Sequence, residues 1–141
     1  MNDGRDRRPA SGVARDYRGR VVLDYAPRLD GDPDPGEIVW GWVPYEEDPS
    51  VGKDRPMVVI GRVGDSDDVV ALMLSSHDHD GDPGWVPLGR GAWDVERRES
   101  WVRTDRLFAV PPDGIRKEGA VLAKDRFLDL VTRAAHRGAT G

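Results

Sequence analysis

Arg55 stands directly before Pro56, and Pro56 before an apolar run from Met57 to Ile60. Proline fixes its own φ and pushes the preceding residue into an extended conformation, so Arg55 has a restricted backbone and a projecting side chain. A guanidinium stays charged at any ordinary pH and presents a rigid fork of donors that matches phosphate oxygens. Further along, Ser75 and Ser76 close a second apolar run, and His77 follows at once. A hydroxyl pair beside a guanidinium makes a small oxyanion or phosphate site. Histidine titrates near neutrality, which suits a proton-transfer role beside it. Structural readings compete with each of these. Arg55 could pair with Glu46, Glu47 or Asp48 across its own loop, and a Ser-Ser pair commonly ends a strand in a turn.

Other chemistries are thinly supported. His77-Asp78-His79-Asp80 offers metal-ligand types, but an H-x-H pair needs a further ligand, and the remaining histidine is the distant His136. A solvated loop or a catalytic histidine is the preferred reading, with no metal and no cofactor. There is no Gly-rich loop between a strand and a helix, no G-x-S-x-G and no H-E-x-x-H. Cysteine is absent, which removes disulfides, thiolate ligands and cysteine nucleophiles.

The residues around Arg55 and Ser75 read as strands. Glu37–Val43 alternates, with Ile38, Trp40 and Trp42 expected on one half-buried face. A polar loop over 44–54 should hand over to a second strand at Arg55, and the turn Asp65-Ser66-Asp67-Asp68 should return the chain into a third ending at Ser75-Ser76. If these two form an antiparallel hairpin, the start of one lies beside the end of the other, and Arg55 and Ser75 share one rim. Short candidate strands follow at 85–88, 100–104 and 106–110. Residues 124–136 change period, with Phe127, Leu128, Val131 and Ala135 at helical spacing. Many short strands and one terminal amphipathic helix predict a mainly β domain, a small barrel with a helix packed on it.

The chain has 141 residues and a net charge of −5, which fits one soluble domain and argues against binding polyanions over the whole surface. A local basic cleft remains compatible with that balance. No apolar stretch is long enough to cross a bilayer, and no signal-peptide pattern follows the early arginines, so the expected location is cytoplasmic. Arg5, Arg7, Arg8, Arg15, Arg18 and Arg20 make a basic arm with few apolar anchors before Val21. Its expected state is extended or disordered, removable without unfolding the domain. A Pro- and Gly-rich linker ends near Gly36. The expected division is an arm and linker over 1–35, a domain over 36–137, and a disordered tail over 138–141.

Gly36-Glu37-Ile38-Val39, Gly52-Lys53-Asp54-Arg55-Pro56, Ser75-Ser76, Asp105-Arg106-Leu107, Gly119-Ala120-Val121 and the closing helix occur in that order. In this order and spacing they resemble the MazF/PemK toxins of bacterial toxin–antitoxin modules, from Gly36 to the helix. The resemblance implies a small SH3-like (CcdB/PemK-type) barrel with a C-terminal helix, usually a homodimer. It implies a metal-independent endoribonuclease acting on single-stranded RNA, opposed by a cognate antitoxin protein. The family's catalytic arginine and strand-ending hydroxyl fall on Arg55 and Ser75, with serine replacing the threonine common in the family. His77 is the candidate general base, with Asp54 and Glu47 as alternatives. Lys53, Ser76, Arg90, Trp93 and Arg97 are candidate substrate-binding residues, joined on the backbone path by Arg62, Arg98 and Arg103, with Trp85 a further stacking candidate. The arm and residues 80–99 depart from the minimal pattern. A non-catalytic binding module is the alternative, and a CcdB-like gyrase poison a weaker one, since "HRGATG" lacks an aromatic, apolar tip.

Overall fold

The computed structural model describes residues 6–7, 14–17, 21–22, 35–63, 68–91, 93–94 and 96–137. The strands in chain order are β1 (Asp6–Arg7), β2 (Arg15–Tyr17), β3 (Val21–Val22), β4 (Glu37–Pro44), β5 (Val51–Val63), β6 (Val69–Ser75), β7 (Trp85–Gly89), β8 (Ser100–Arg103), β9 (Leu107–Val110) and β10 (Arg116–Val121). One helix, α1 (Lys124–Arg137), follows. The linker over 23–34 and the tail over 138–141 lie outside the described residues.

The domain is mainly β, as its many short apolar runs between turn residues lead one to expect. All pairings are antiparallel, and the main path runs β10-β4-β5-β6-β8-β7. The expected closure into a barrel is absent from this ladder, because β7 and β10 end the path unjoined. The sheet forks instead at β6. Val69–Ala71 pair with β9, while Leu74 and Ser75 pair with β8. Helix α1 packs where closure would otherwise occur: Phe127 and Leu130 enter the same cluster as Ile38, Val58, Leu72, Leu74, Leu88 and Val102.

Burial differs from the simplest strand pattern. Strand β4 was expected to be half-buried, yet Val39 and Val43 are as buried as Ile38. The sheet carries a second apolar layer on its other face, built from Val39, Val43, Met57, Val59, Ala71, Met73, Phe108 and Val110. Apolar side chains on both pleat faces produce near-continuous hydrophobic runs such as those in β5 and β6. In α1 the buried stripe is Phe127, Leu130 and the half-buried Val131, whereas Leu128 is 49% exposed. The i, i+3, i+4 spacing is thus present but rotated from the one that included Leu128.

Two further boundaries moved. Strand β5 begins at Val51, so residues 51–54, expected in the loop, belong to the strand that Arg55 was expected to open. Strand β4 supplies their pairing, with Gly41 opposite Arg55 and Val43 opposite Lys53. Residues 116–121, not among the candidate strands, form β10 against the outer edge of β4.

Parts of the arm are bound to the domain. Strand β2 pairs with β9, placing Arg15, Asp16 and Tyr17 opposite Ala109, Phe108 and Leu107. Ala14 is 1% exposed within the second apolar layer, and Tyr17 packs on the first. Arg15 reaches Asp68 at 2.8 Å, and Arg106 reaches Asp16 at 2.7 Å. One small buried side chain and a short ladder hold a segment whose composition suggests a solvated chain.

Candidate active site

The β5–β6 ladder sets the site. Met57 pairs with Met73, and the register continues inward through Val58–Leu72 and Val59–Ala71. Two residues outward from Met57 and Met73 stand Arg55 and Ser75, on opposite strands at the same rim. The pleat turns both side chains to the face that carries Met57 and Met73. Ser75 is also opposite Trp101 on β8, so β6 is flanked at its end by two different strands.

A cleft of about 130 Å³ opens at this rim. Arg55, Lys53, Ser75, Ser76 and His77 line it together with Asp54, Trp40, Trp93, Asp94, Arg98 and Ser100. Of the residues singled out from sequence, the cleft therefore gathers Arg55, Ser75, His77, Asp54, Lys53, Ser76, Trp93 and Arg98. Arg90 and Arg97 do not line it. They sit in the loop between β7 and β8, where Arg90 Nη1 donates to the Arg97 carbonyl at 3.3 Å and Arg90 lies 3.9 Å from Glu99. Arg97 adopts φ 52°, a left-handed conformation that fits a sharp turn and not an extended binding surface.

Among the described residues no carboxylate is ion-paired with Arg55. Burial pushes its pKa below the ordinary arginine value; Tyr45 opposes the shift, the like charge of Arg106 adds to it, and Glu47 opposes it. The group remains a cation, but one short of water and of a close counter-charge. Such a cation gains most from an incoming anion.

Ser75 is 6% exposed, and its Oγ accepts a hydrogen bond from the His77 backbone N–H at 3.1 Å. This is the strand-ending turn that a Ser-Ser pair suggests. It uses an acceptor site of the hydroxyl and leaves the O–H proton available to donate. Ser76 and His77 are exposed at the mouth.

The opposite wall comes from the β7–β8 loop. Trp93 is 7% exposed and donates from Nε1 to Ser100 Oγ at 3.0 Å, so it is a wall of the cleft and part of the core, not a free stacking platform. A Cβ on Gly91 would overlap the Trp93 indole, so glycine is needed for this close approach. Asp94 grips Arg98 through Nε at 2.8 Å and Nη2 at 3.3 Å, and it accepts the Arg98 backbone N–H at 3.0 Å. The side-chain bond from Arg98 is the main reason that the Asp94 carboxyl sits below the usual carboxylate range.

Trp40, expected on the half-buried face of β4, lines the cleft, and its buried Nε1 has no hydrogen-bond partner among the described residues. Asp94 and Ser100 were not singled out either; both lie far along the chain from Arg55, and no local pattern ties them to it.

The His77–Asp80 segment divides in two. His77 belongs to the cleft, whereas the His79 ring stacks on Trp85 with centroids 3.7 Å apart and planes within 2°. His79 Nδ1 also lies 3.1 Å from Asp82 Oδ2. Trp85, a candidate base-stacking residue, has that ring face covered by His79. No group of three or more His, Cys, Asp or Glu side chains converges as metal ligands among the described residues.

The comparisons with known proteins bear on this cleft. No curated protein matches the chain. A family model described as PemK-like, MazF-like toxin of type II toxin–antitoxin system matches residues 34–136, which include every strand from β4 onward, nearly all of α1 and the whole cleft lining. The chain belongs to the PemK-like, MazF-like toxins of type II toxin–antitoxin systems.

Proposed function

We propose that the cleft is the active site of an endoribonuclease that cuts single-stranded RNA at short sequences without a metal ion. The observation that carries this reading is a desolvated guanidinium with no ion-paired carboxylate among the described residues, in one cleft with a buried hydroxyl that can still donate. The ribose 2′-oxygen attacks the adjacent phosphorus, and the bond from phosphorus to the 5′-oxygen breaks. The products are a 2′,3′-cyclic phosphate and a 5′-hydroxyl. Negative charge builds on the non-bridging oxygens, where Arg55 and the Ser75 hydroxyl stabilise it. Lys53 and Ser76 add donors along the backbone. The 2′ proton passes to a base, for which His77, Asp54 and Glu47 are the nearby candidates, and the leaving 5′-oxygen takes up a proton.

Membership of a type II toxin family implies a cognate antitoxin. Our reading extends to a homodimer working in the cytoplasm, with light scattering at micromolar concentration as the check on the dimer. Among the described residues no helix is long and apolar enough to cross a membrane.

The deciding experiment is incubation of purified protein with mixed-sequence RNA in EDTA, followed by mapping of the ends. Cuts carrying a cyclic phosphate in EDTA support the reading. Activity that disappears in EDTA and returns with a divalent ion overturns the metal-free mechanism, and intact RNA throughout overturns the nuclease.

A further inference from the structure

Arg55 lines a second cleft, also of about 130 Å³, together with Arg103, Arg106, Tyr45, Glu47 and Met73. Three guanidinium groups thus border one small space, and the charge of Arg106 is among the causes that disfavour the charge of Arg55. Like charges drawn this close make an anion site unless each is answered locally. Arg103 is answered: it bonds Asp105 at 2.7 Å and Glu46 at 3.1 Å. Arg106 is answered differently. Its guanidinium lies over the Phe108 ring, 4.5 Å from the centroid, and its side chain is only 10% exposed. The anion that it holds comes from the arm. Arg106 Nε donates to Asp16 Oδ1 at 2.7 Å and Nη2 to Oδ2 at 3.3 Å.

Paired bonds from one guanidinium to two oxygens suit phosphate as well as carboxylate. Asp16 is 59% exposed and lies on β2, ahead of the segment that matches the toxin family. We infer that this cleft is a second phosphate subsite for the substrate strand, with Arg106 as its ligand and the Asp16 carboxylate occupying it in cis. The inference rests on the proposed nuclease. Arg55 borders both clefts, so a strand with its scissile phosphate beside Ser75 would direct a neighbouring phosphate towards Arg106. The exposed Asp16 side chain can turn to water while β2 keeps its pairing with β9. In the resting protein the arm therefore competes with substrate.

Binding separates this inference from the cleavage chemistry. The probe is fluorescein-labelled, mixed-sequence single-stranded DNA, which carries the phosphates and lacks the attacking 2′-hydroxyl, read by anisotropy across a salt series. Asp16→Ala should tighten binding roughly tenfold by freeing one charge-assisted phosphate contact. Arg106→Gln should weaken it and reduce the steepness of log affinity against log salt by about 0.7. Should Arg106→Gln fail to fold, Asp16→Ala decides alone. Unchanged or undetectable binding in Asp16→Ala overturns the subsite. So does an Asp16→Ala protein that gains affinity only for a polyglutamate peptide, which would assign Arg106 to an acidic protein segment. A protein that cuts RNA but is indifferent to Asp16→Ala keeps the nuclease and loses the subsite. One that binds tighter on Asp16→Ala but never cuts keeps the subsite's phosphate affinity and loses the nuclease.

Discussion

The Ser75 hydroxyl oxygen accepts the His77 backbone N–H at 3.1 Å, which fixes its rotamer while leaving its proton to donate. Removing the hydroxyl therefore costs a donor and loosens the turn that carries His77. Ser75→Ala is expected to lower kcat, though less than loss of Arg55. Ser75→Thr keeps the hydroxyl and is expected to retain most activity. Equal kcat in Ser75→Ala and wild type would remove Ser75 from the mechanism.

Arg55 holds a cation where burial disfavours charge, an arrangement that favours anion binding at some cost to the fold. Arg55→Ala is expected to lower cleavage by on the order of a hundred- to thousandfold, about 3–4 kcal/mol of transition-state stabilisation. Its Tm should stay level or rise, because a desolvated cation is relieved. Arg55→Lys should recover only part of the rate, since an ammonium lacks the fork. Normal cleavage with a Tm many degrees lower would instead mark Arg55 as a structural anchor.

His77 is exposed at the cleft mouth, where a histidine can exchange protons with solvent. If it is the base, the acidic limb of the pH–rate profile disappears in His77→Ala. An unchanged limb on a slower enzyme would transfer the role to Asp54 or Glu47.

The loop that walls the cleft is pinned by Asp94 on Arg98. The bond to Arg98 depresses the folded-state pKa of Asp94. Its contribution is therefore present above the ordinary carboxylate range and lost as pH falls through the depressed value. Asp94→Asn should have a lower Tm than wild type at pH 7, and the gap should close in acid. A gap that persists or widens towards pH 2 would show that the ion pair does not hold the loop.

Removal of residues 1–20 tests how the arm is attached. With β1, β2, the Ala14 contact and two ion pairs lost, the truncated domain should still fold but melt roughly 5–10 °C lower, matching a loss of about 1–3 kcal/mol. A Tm equal to that of the full chain would mean the arm contributes nothing to stability.

Local rules determined a good deal of this protein. Alternation in β4 and short apolar runs bounded by turn residues located β4 through β9 to within a few residues, a change of period located α1, and Pro56 fixed an extended Arg55. The antiparallel return from β5 to β6 was also readable, and with it the placing of Arg55 and Ser75 at one rim, because few residues separate the two strands and few other registers fit; the expected turn itself, at 65–68, lies mostly outside the described residues. What tertiary structure alone decided involves residues distant in sequence. The fork at β6, the helix in place of a closed barrel, the burial of both faces of β4 and the β10 pairing all depend on which sheet face meets which layer. Trp93, Asp94 and Ser100 reach the cleft only because the β7–β8 loop folds back over it. Asp16 meets Arg106 across 90 residues of sequence. A chain's composition specifies how each segment prefers to bend, but the partner that satisfies a buried donor or cation is chosen by packing, after the segments have met.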